Sequence, residues 1–234
     1  GYFLFLIGKI FFSTQVGLIS AILYFLSPFF FFSGGMLIVP DGPLNFFVVA
    51  TFYFITKIAF YKKKENLVDW LLVGFFMALA FLSKYQAYFF GLSIITYFFL
   101  WKKEILISRK FVISFVIASM GLLPVILWNF HNNFASFLFH QGRSTLSIHP
   151  VHFLGLLLAQ LFFILPSTGA IIFLSFFNRQ KTNFENVKPF FYIVALPSIV
   201  FFNLINFFSA NSFAHWSMMG WMLLIPLGAN LFTS

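Results

Sequence analysis

Cysteine is absent from all 234 residues, which excludes disulfides and thiolate metal sites. Charge is also scarce. Only 8% of residues are charged and only five are acidic, against about 25% charged in soluble domains. There is no GxxxxGKS loop, no GxGxxG after a strand, no GxSxG elbow and no HExxH pair, so the local signatures of phosphate loops, dinucleotide folds, serine hydrolases and zincins are missing. No basic stretch precedes an apolar run and a small-residue cleavage site, so the first residues do not read as a signal peptide. What fills the chain is apolar: 61% hydrophobic and 24% aromatic, with a mean hydropathy of +0.97. A soluble protein of this size could not hide so much apolar surface. A soluble enzyme, a nucleic-acid-binding module and a disordered chain are therefore excluded, and a polytopic membrane protein remains. The 42 Phe are explained as well by AT-rich coding as by chemistry.

A helix needs about 20 apolar residues to cross the hydrocarbon core. The sequence predicts a partial span near 1–12 and full spans near 16–33, 44–61, 67–83, 85–101, 111–128, 152–176, 190–208 and 217–233. Barrel strands would alternate polar and apolar residues, and these runs do not. The expected fold is an all-α polytopic membrane protein of about eight full transmembrane helices plus the partial one, a single transmembrane domain over 1–234. The opening GYFLFLIGKI reads as the tail of a span, so a fragment is expected. Alternating the loops places Lys9, Lys57, Lys62, Lys63, Lys64, Lys102, Lys103, Arg109, Lys110, Arg179, Lys181 and Lys188 on or near one side, and only Lys84 and Arg143 on the other. Twelve against two makes the rich side cytoplasmic. It also explains the net charge of +9 by membrane topology and anionic lipid rather than by nucleic acid. Lys57 is expected to snorkel to the interface.

The outer segments hold the groups with chemical potential. Asp41, in VPDGPL, is the only outer carboxylate; it reads either as the N-cap of the span starting near Leu44 or as a carboxylate that is paired or used at the boundary. Lys84, in LSKYQ, either snorkels to lipid phosphate or turns inward to hold a ligand phosphate. Arg143, in FLFHQGR, offers a planar fork for phosphate, and Gly142 beside it lets backbone approach closely; the alternative is a solvated loop arginine. The FASFLF stretch before it suggests a helix lying in the interface. His215 and Trp216 open the last span, as an aromatic anchor or as a wall that stacks a sugar. His149 and His152 share a helical face, but they and His131 and His140 match no known ligand spacing, so no cofactor is assigned and a divalent metal stays open without support. Gly17 and Ala21 suggest close helix packing.

These segments together resemble a family. GKIFFSTQVGLISAILYFLSPFFFFSGGMLIVPDGPLNFF, WLLVGFFMALAFLSKYQAYFF, WNFHNNFASFLFHQGR and AHWSMMGWMLLIP follow the order found in membrane glycosyltransferases of the GT-C type, most nearly the superfamily of dolichyl-phosphate-mannose-protein mannosyltransferases and lipid A aminoarabinose transferases. The resemblance implies transfer of a sugar from a polyprenyl-phosphate carrier to a lipid or protein acceptor on the outer face. It matches Asp41 to the family's PD.PL aspartate, Lys84 to its SKY lysine, and Gln141, Gly142 and Arg143 to its outer-loop Gln-Gly-Arg. Asp41 is then the catalytic candidate, with Lys84, Gln141, Arg143, His215 and Trp216 binding substrate. The family's main carboxylate follows a first span, so this chain is expected to lack that span, the catalytic first outer loop and the C-terminal spans. A bacterial inner membrane with a periplasmic active face is the expected location. A transporter or flippase stays open, because Pro28, Pro124, Pro166, Pro197 and Pro226 lie in or near spans and broken helices are a transporter device; so does a non-catalytic membrane subunit.

Overall fold

Proline and short polar side chains decide where one helix ends and the next begins. The computed structural model describes residues 1–61, 66–141, 147–178 and 181–233, and every regular element among them is helical. In a lipid medium this is the economical way to pair each N–H and C=O. Helices α1 (Tyr2–Phe11) and α2 (Thr14–Leu26) pack side by side, with Ser13 accepting from the Val16 N–H as the cap of α2. Gly17 faces Gly8 and the Phe5 carbonyl there, so the expected close packing is met. Pro28 starts α3 (Pro28–Gly35), bent by 74° from α2. After Pro40, α4 (Asp41–Thr56) runs into a π turn at Lys57–Tyr61. Asn66 caps α5 (Leu67–Ser83), which is followed by α6 (Ala87–Trp101) and the short α7 (Lys103–Leu106). Ser108 caps α8 (Arg109–Met120), and α9 (Leu123–His131) continues it toward α10 (Ala135–Gln141). Pro150 and Pro166 open α11 (Pro150–Phe163) and α12 (Pro166–Phe177), which meet at 99°. The long α13 (Val187–Phe208), a 3₁₀ turn at Ala214–Ser217 and α14 (Met218–Ala229) complete the core.

Among the described residues three helices are long and apolar enough to cross a membrane, Asp41–Phe60, Arg109–His131 and Val187–Phe208, or up to five if each bent pair counts as one span. These three agree with the spans expected near 44–61, 111–128 and 190–208. The expected eight are not reached by length. The run near 16–33 is broken before Pro28 and that near 152–176 before Pro166; α5 and α6 have 17 and 15 residues, and α14 has 12. An apolar run reports what can sit in lipid, whereas proline and local turns set how much of it is one straight helix.

The core forms around α14, in which every residue except Trp221 is buried, as a helix apolar on all sides requires. It touches α13, α12, α2, α1 and α4. By contrast, only 17% of the Arg109–His131 span is buried, so α8 and α9 form the periphery. Two ion pairs mark the ends of the α4–α5 pair. Lys57 Nζ donates to Asp69 Oδ1 at 2.6 Å at one end, and Lys84 Nζ meets Asp41 at the other. Lys57 also lies 5.1 Å over the Phe54 ring. It is therefore held by a carboxylate and a ring rather than simply snorkelling, because Asp69 sits across the helix pair at the same level.

Candidate functional site

The end of the fold marked by Asp41 and Lys84 is built by two helix boundaries. Pro40 and Pro43 stop a continuous helix, and α4 starts at Asp41 close against the end of α3. Gly42 permits that approach: a Cβ there would lie 2.5 Å from the Ser33 carbonyl oxygen. Lys84 follows α5 with an extended backbone. Its ammonium donates to both oxygens of Asp41, at 2.8 and 3.0 Å. The two side chains are 21% and 9% exposed, so the charges are largely withdrawn from water and depend on each other. Asp41 makes no side-chain cap bond at α4. The cap reading is thus replaced by the pairing, since Lys84 offers a full charge where the cap offers an amide dipole. For the same reason Lys84 turns inward instead of snorkelling to lipid.

The 3₁₀ turn before α14 brings His215 and Trp216 to the same place. His215 stacks on Phe29, with centroids 6.1 Å apart and planes at 15°. Burial lowers its pKa below the ordinary 6.5, the positive charge of Lys84 lowers it further, and Asp41 partly opposes both. The imidazole therefore stands within the field of both members of the ion pair and is neutral near pH 7. Trp216 packs edge-on against Phe202 and Phe213.

Beside this cluster opens a cavity of about 790 Å³, walled mainly by apolar side chains such as Phe81, Phe89, Phe202 and Trp216, with Lys84 and Gln86 among its few polar groups. That combination, an apolar volume with a few placed polar groups, is the usual form of a small-molecule site. Tyr85 fixes one rim. Its ring stacks on Phe137 of α10 at 6.1 Å, and its hydroxyl lies 3.3 Å from Asn129 Nδ2. Asn129 Oδ1 in turn accepts from the Ser136 N–H, which ties α9, α10 and the Lys84 turn together. The FASFLF stretch is helical from Ala135 onward, with Phe137, Leu138 and Phe139 exposed.

The structure thus brings Asp41, Lys84, His215 and Trp216 together. Gln141 is exposed at the end of α10, which borders the cavity through Phe137. Gly142 and Arg143 lie outside the described residues. His149 Nε2 is 2.7 Å from Ser147 Oγ, and His152 Nε2 is 3.5 Å from Ser212 Oγ. Among the described residues no three His, Asp or Glu side chains are grouped to hold a metal.

Several contributors were not singled out by sequence. Gln160 is 1% exposed. Its Oε1 accepts from Ser217 Oγ at 2.6 Å, Trp221 Nε1 at 3.1 Å and Asn203 Nδ2 at 3.3 Å, while its Nε2 donates to Asn203 Oδ1 at 2.8 Å. This network clamps the turn that carries His215 and Trp216 to α11 and α13. Asn45 lies one turn beyond Asp41 on α4, and its buried Nδ2 and the buried Ser33 Oγ have no hydrogen-bond partner. The signal for both was a lone amide inside an apolar run.

A family model described as dolichyl-phosphate-mannose-protein mannosyltransferase matches residues 1–128. The match takes in Asp41 and Lys84 and ends before Gln141. No curated protein and no solved structure matches the chain.

Proposed function

The chain belongs to the dolichyl-phosphate-mannose-protein mannosyltransferase family, and from that premise we propose that it moves a sugar from a polyprenyl-phosphate carrier to a hydroxyl of a lipid or protein acceptor, at the membrane face opposite its basic loops. The observation that carries this reading is the Asp41–Lys84 pair, largely buried beside an apolar cavity of about 790 Å³. The cavity takes isoprenoid chain and Lys84 takes the carrier's phosphate.

In the reaction the bond between the sugar's anomeric carbon and the phosphate oxygen breaks, and a bond from that carbon to the acceptor oxygen forms. Polyprenyl phosphate leaves with the electron pair. Its added charge is met by Lys84, a cation preorganised where water is scarce and such stabilisation is worth most. Arg143 is the second proposed phosphate ligand, through its planar fork, with Gln141 beside it. The acceptor proton goes to a carboxylate. Asp41 is this chain's candidate, because a phosphate that draws Lys84 away frees its oxygens. Before substrate arrives, Asp41 keeps Lys84 aimed. His215 and Trp216 contact sugar or carrier. The active face is read as the one opposite the cytoplasm from the segregation of basic residues, and as the periplasmic face of a bacterial inner membrane from the family resemblance and the short loops.

The test is transfer of labelled sugar from polyprenyl-phosphate donors by membranes containing the protein, compared with Lys84→Met and Arg143→Ala. Both variants are expected to lose transfer by at least about a hundredfold, the scale of removing one preorganised charge partner, while still accumulating in the membrane. Wild-type-like transfer by either would remove that residue from the site. A carrier is the second reading, favoured by a particular contact: both bent helix pairs meet at their breaks, where Ser27 Oγ donates to the Ile164 carbonyl at 3.1 Å. Flux of carrier lipid across vesicles without sugar transfer would select it.

A further inference from the structure

The end of the molecule away from the Asp41–Lys84 pair holds a second cavity, of about 270 Å³. Aromatic rings of Phe60, Tyr97, Trp101 and Phe184 wall it, and Lys102 and Glu185 are its charged groups. Phe60 stands 6.0 Å from Tyr97 and 6.0 Å from Phe184, and Tyr97 stacks on Trp101 at 5.3 Å. Lys102 Nζ lies 6.0 Å over the Phe60 ring. Among the described residues neither Lys102 nor Glu185 is in an ion pair.

The position is defined by α6. Its 15 residues separate this cavity from Gln86 at the first one by about 22 Å at 1.5 Å per residue, so the two lie toward opposite membrane faces. Lys57 beyond the end of α4, Lys103 beyond the end of α6 and Lys188 at the start of α13 lie toward this end too. Charge alone would therefore direct anionic lipid here. The cavity's own chemistry argues otherwise. Ring faces and a carboxylate together attract an ammonium group, and Lys102 attracts a phosphate. A simple cation would have to face Lys102, and a simple phosphate would have to face Glu185. A zwitterion carrying both charges satisfies both. The volume admits roughly nine waters, which suits a compact headgroup and not its acyl chains. Phe99 and Leu100, exposed on the lipid side of α6, offer those chains a surface.

We propose that this cavity binds a phosphoethanolamine headgroup, with the ammonium against the aromatic rings and Glu185 and the phosphate at Lys102. The site stands apart from the transferase reading, and its test needs no activity.

Purified protein would be titrated with phosphatidylethanolamine, phosphatidylglycerol and free phosphoethanolamine, with binding read by native mass spectrometry and thermal unfolding. The expected result is phosphatidylethanolamine bound about tenfold tighter than phosphatidylglycerol, a difference of about 1.4 kcal/mol. Glu185→Gln, an exposed position, should fold normally and bring that ratio close to one; Trp101→Leu should do the same. Competition by free phosphoethanolamine at concentrations similar to the lipid would name the soluble molecule as the ligand, and competition only at far higher concentrations would name the lipid. Equal binding of the two lipids, or a ratio unchanged by Glu185→Gln, would overturn the proposal.

Discussion

An ammonium held between two carboxylate oxygens in a largely dry place cannot be removed alone without penalty. Lys84→Met leaves Asp41 charged and uncompensated, and loss of one partner of a buried pair costs about 3 kcal/mol, less whatever the 21% exposure of Lys84 allows water to recover. The double variant Asp41→Asn with Lys84→Met should recover most of that loss, because no lone charge remains. Thermal unfolding of the single and double variants in detergent checks this; additive losses would mean that the pair is not coupled. His215 supplies a second residue-level prediction. Its folded pKa is lowered by burial and by Lys84, so the unfolded chain binds its proton more readily. The resulting stability is fully present above the ordinary value of 6.5 and is lost as pH falls through the lower folded value. His215→Gln should flatten this acid-side decline, and unfolding temperatures measured between neutral and mildly acidic pH should show it. Sequence placed Asp41 and Lys84 on one outer face, because proline and charge asymmetry mark boundaries. It left their pairing open, because a contact between residues 43 positions apart depends on how α4 lies against α5.

At the scale of elements, the turn carrying His215 and Trp216 is held by Gln160 in addition to its own local bonds. Gln160→Leu would remove the partner of the Trp221 indole N–H and of Asn203 Oδ1 in an apolar interior, and would leave Ser217 Oγ and Asn203 Nδ2 only their backbone acceptors. Each buried orphan costs about 1–3 kcal/mol, so a clear drop in unfolding temperature is expected. Gln160→Glu keeps the acceptor oxygen and, held as the neutral acid by burial, can still donate to Asn203 Oδ1, so it should lose less. Similar losses in both variants would deny Oε1 its central role. The long helices α4 and α13 were legible because their runs are mostly apolar over a full membrane thickness, and Pro197 lies inside α13 without ending it. The breaks before Pro28 and Pro166 were signalled by proline. Their size was not, because 74° and 99° bends are set by what each half packs against. The Gln160 network was invisible for the same reason: one amide in an apolar run shows that a partner must exist, not which one.

Across the whole molecule, the described residues separate into two ends. One carries the Lys57–Asp69 pair and the small aromatic cavity, the other the Asp41–Lys84 pair and the large one. The sidedness read from the basic residues can be checked on a clean background, because the chain has no native cysteine. In oriented membranes Asn211→Cys and Lys103→Cys, both at exposed positions, should react with an impermeant thiol reagent from opposite sides. Labelling of both from one side would contradict the topology. The measurement closest to the central claim is equilibrium binding of polyprenyl phosphate to the purified protein and to its Lys84→Met, Asp41→Asn double variant, which removes the phosphate partner without leaving a buried lone charge. Saturable binding that weakens about tenfold or more in the double variant, as loss of a charge-assisted contact in a dry site predicts, is the expected result; unchanged affinity would place the carrier's phosphate elsewhere.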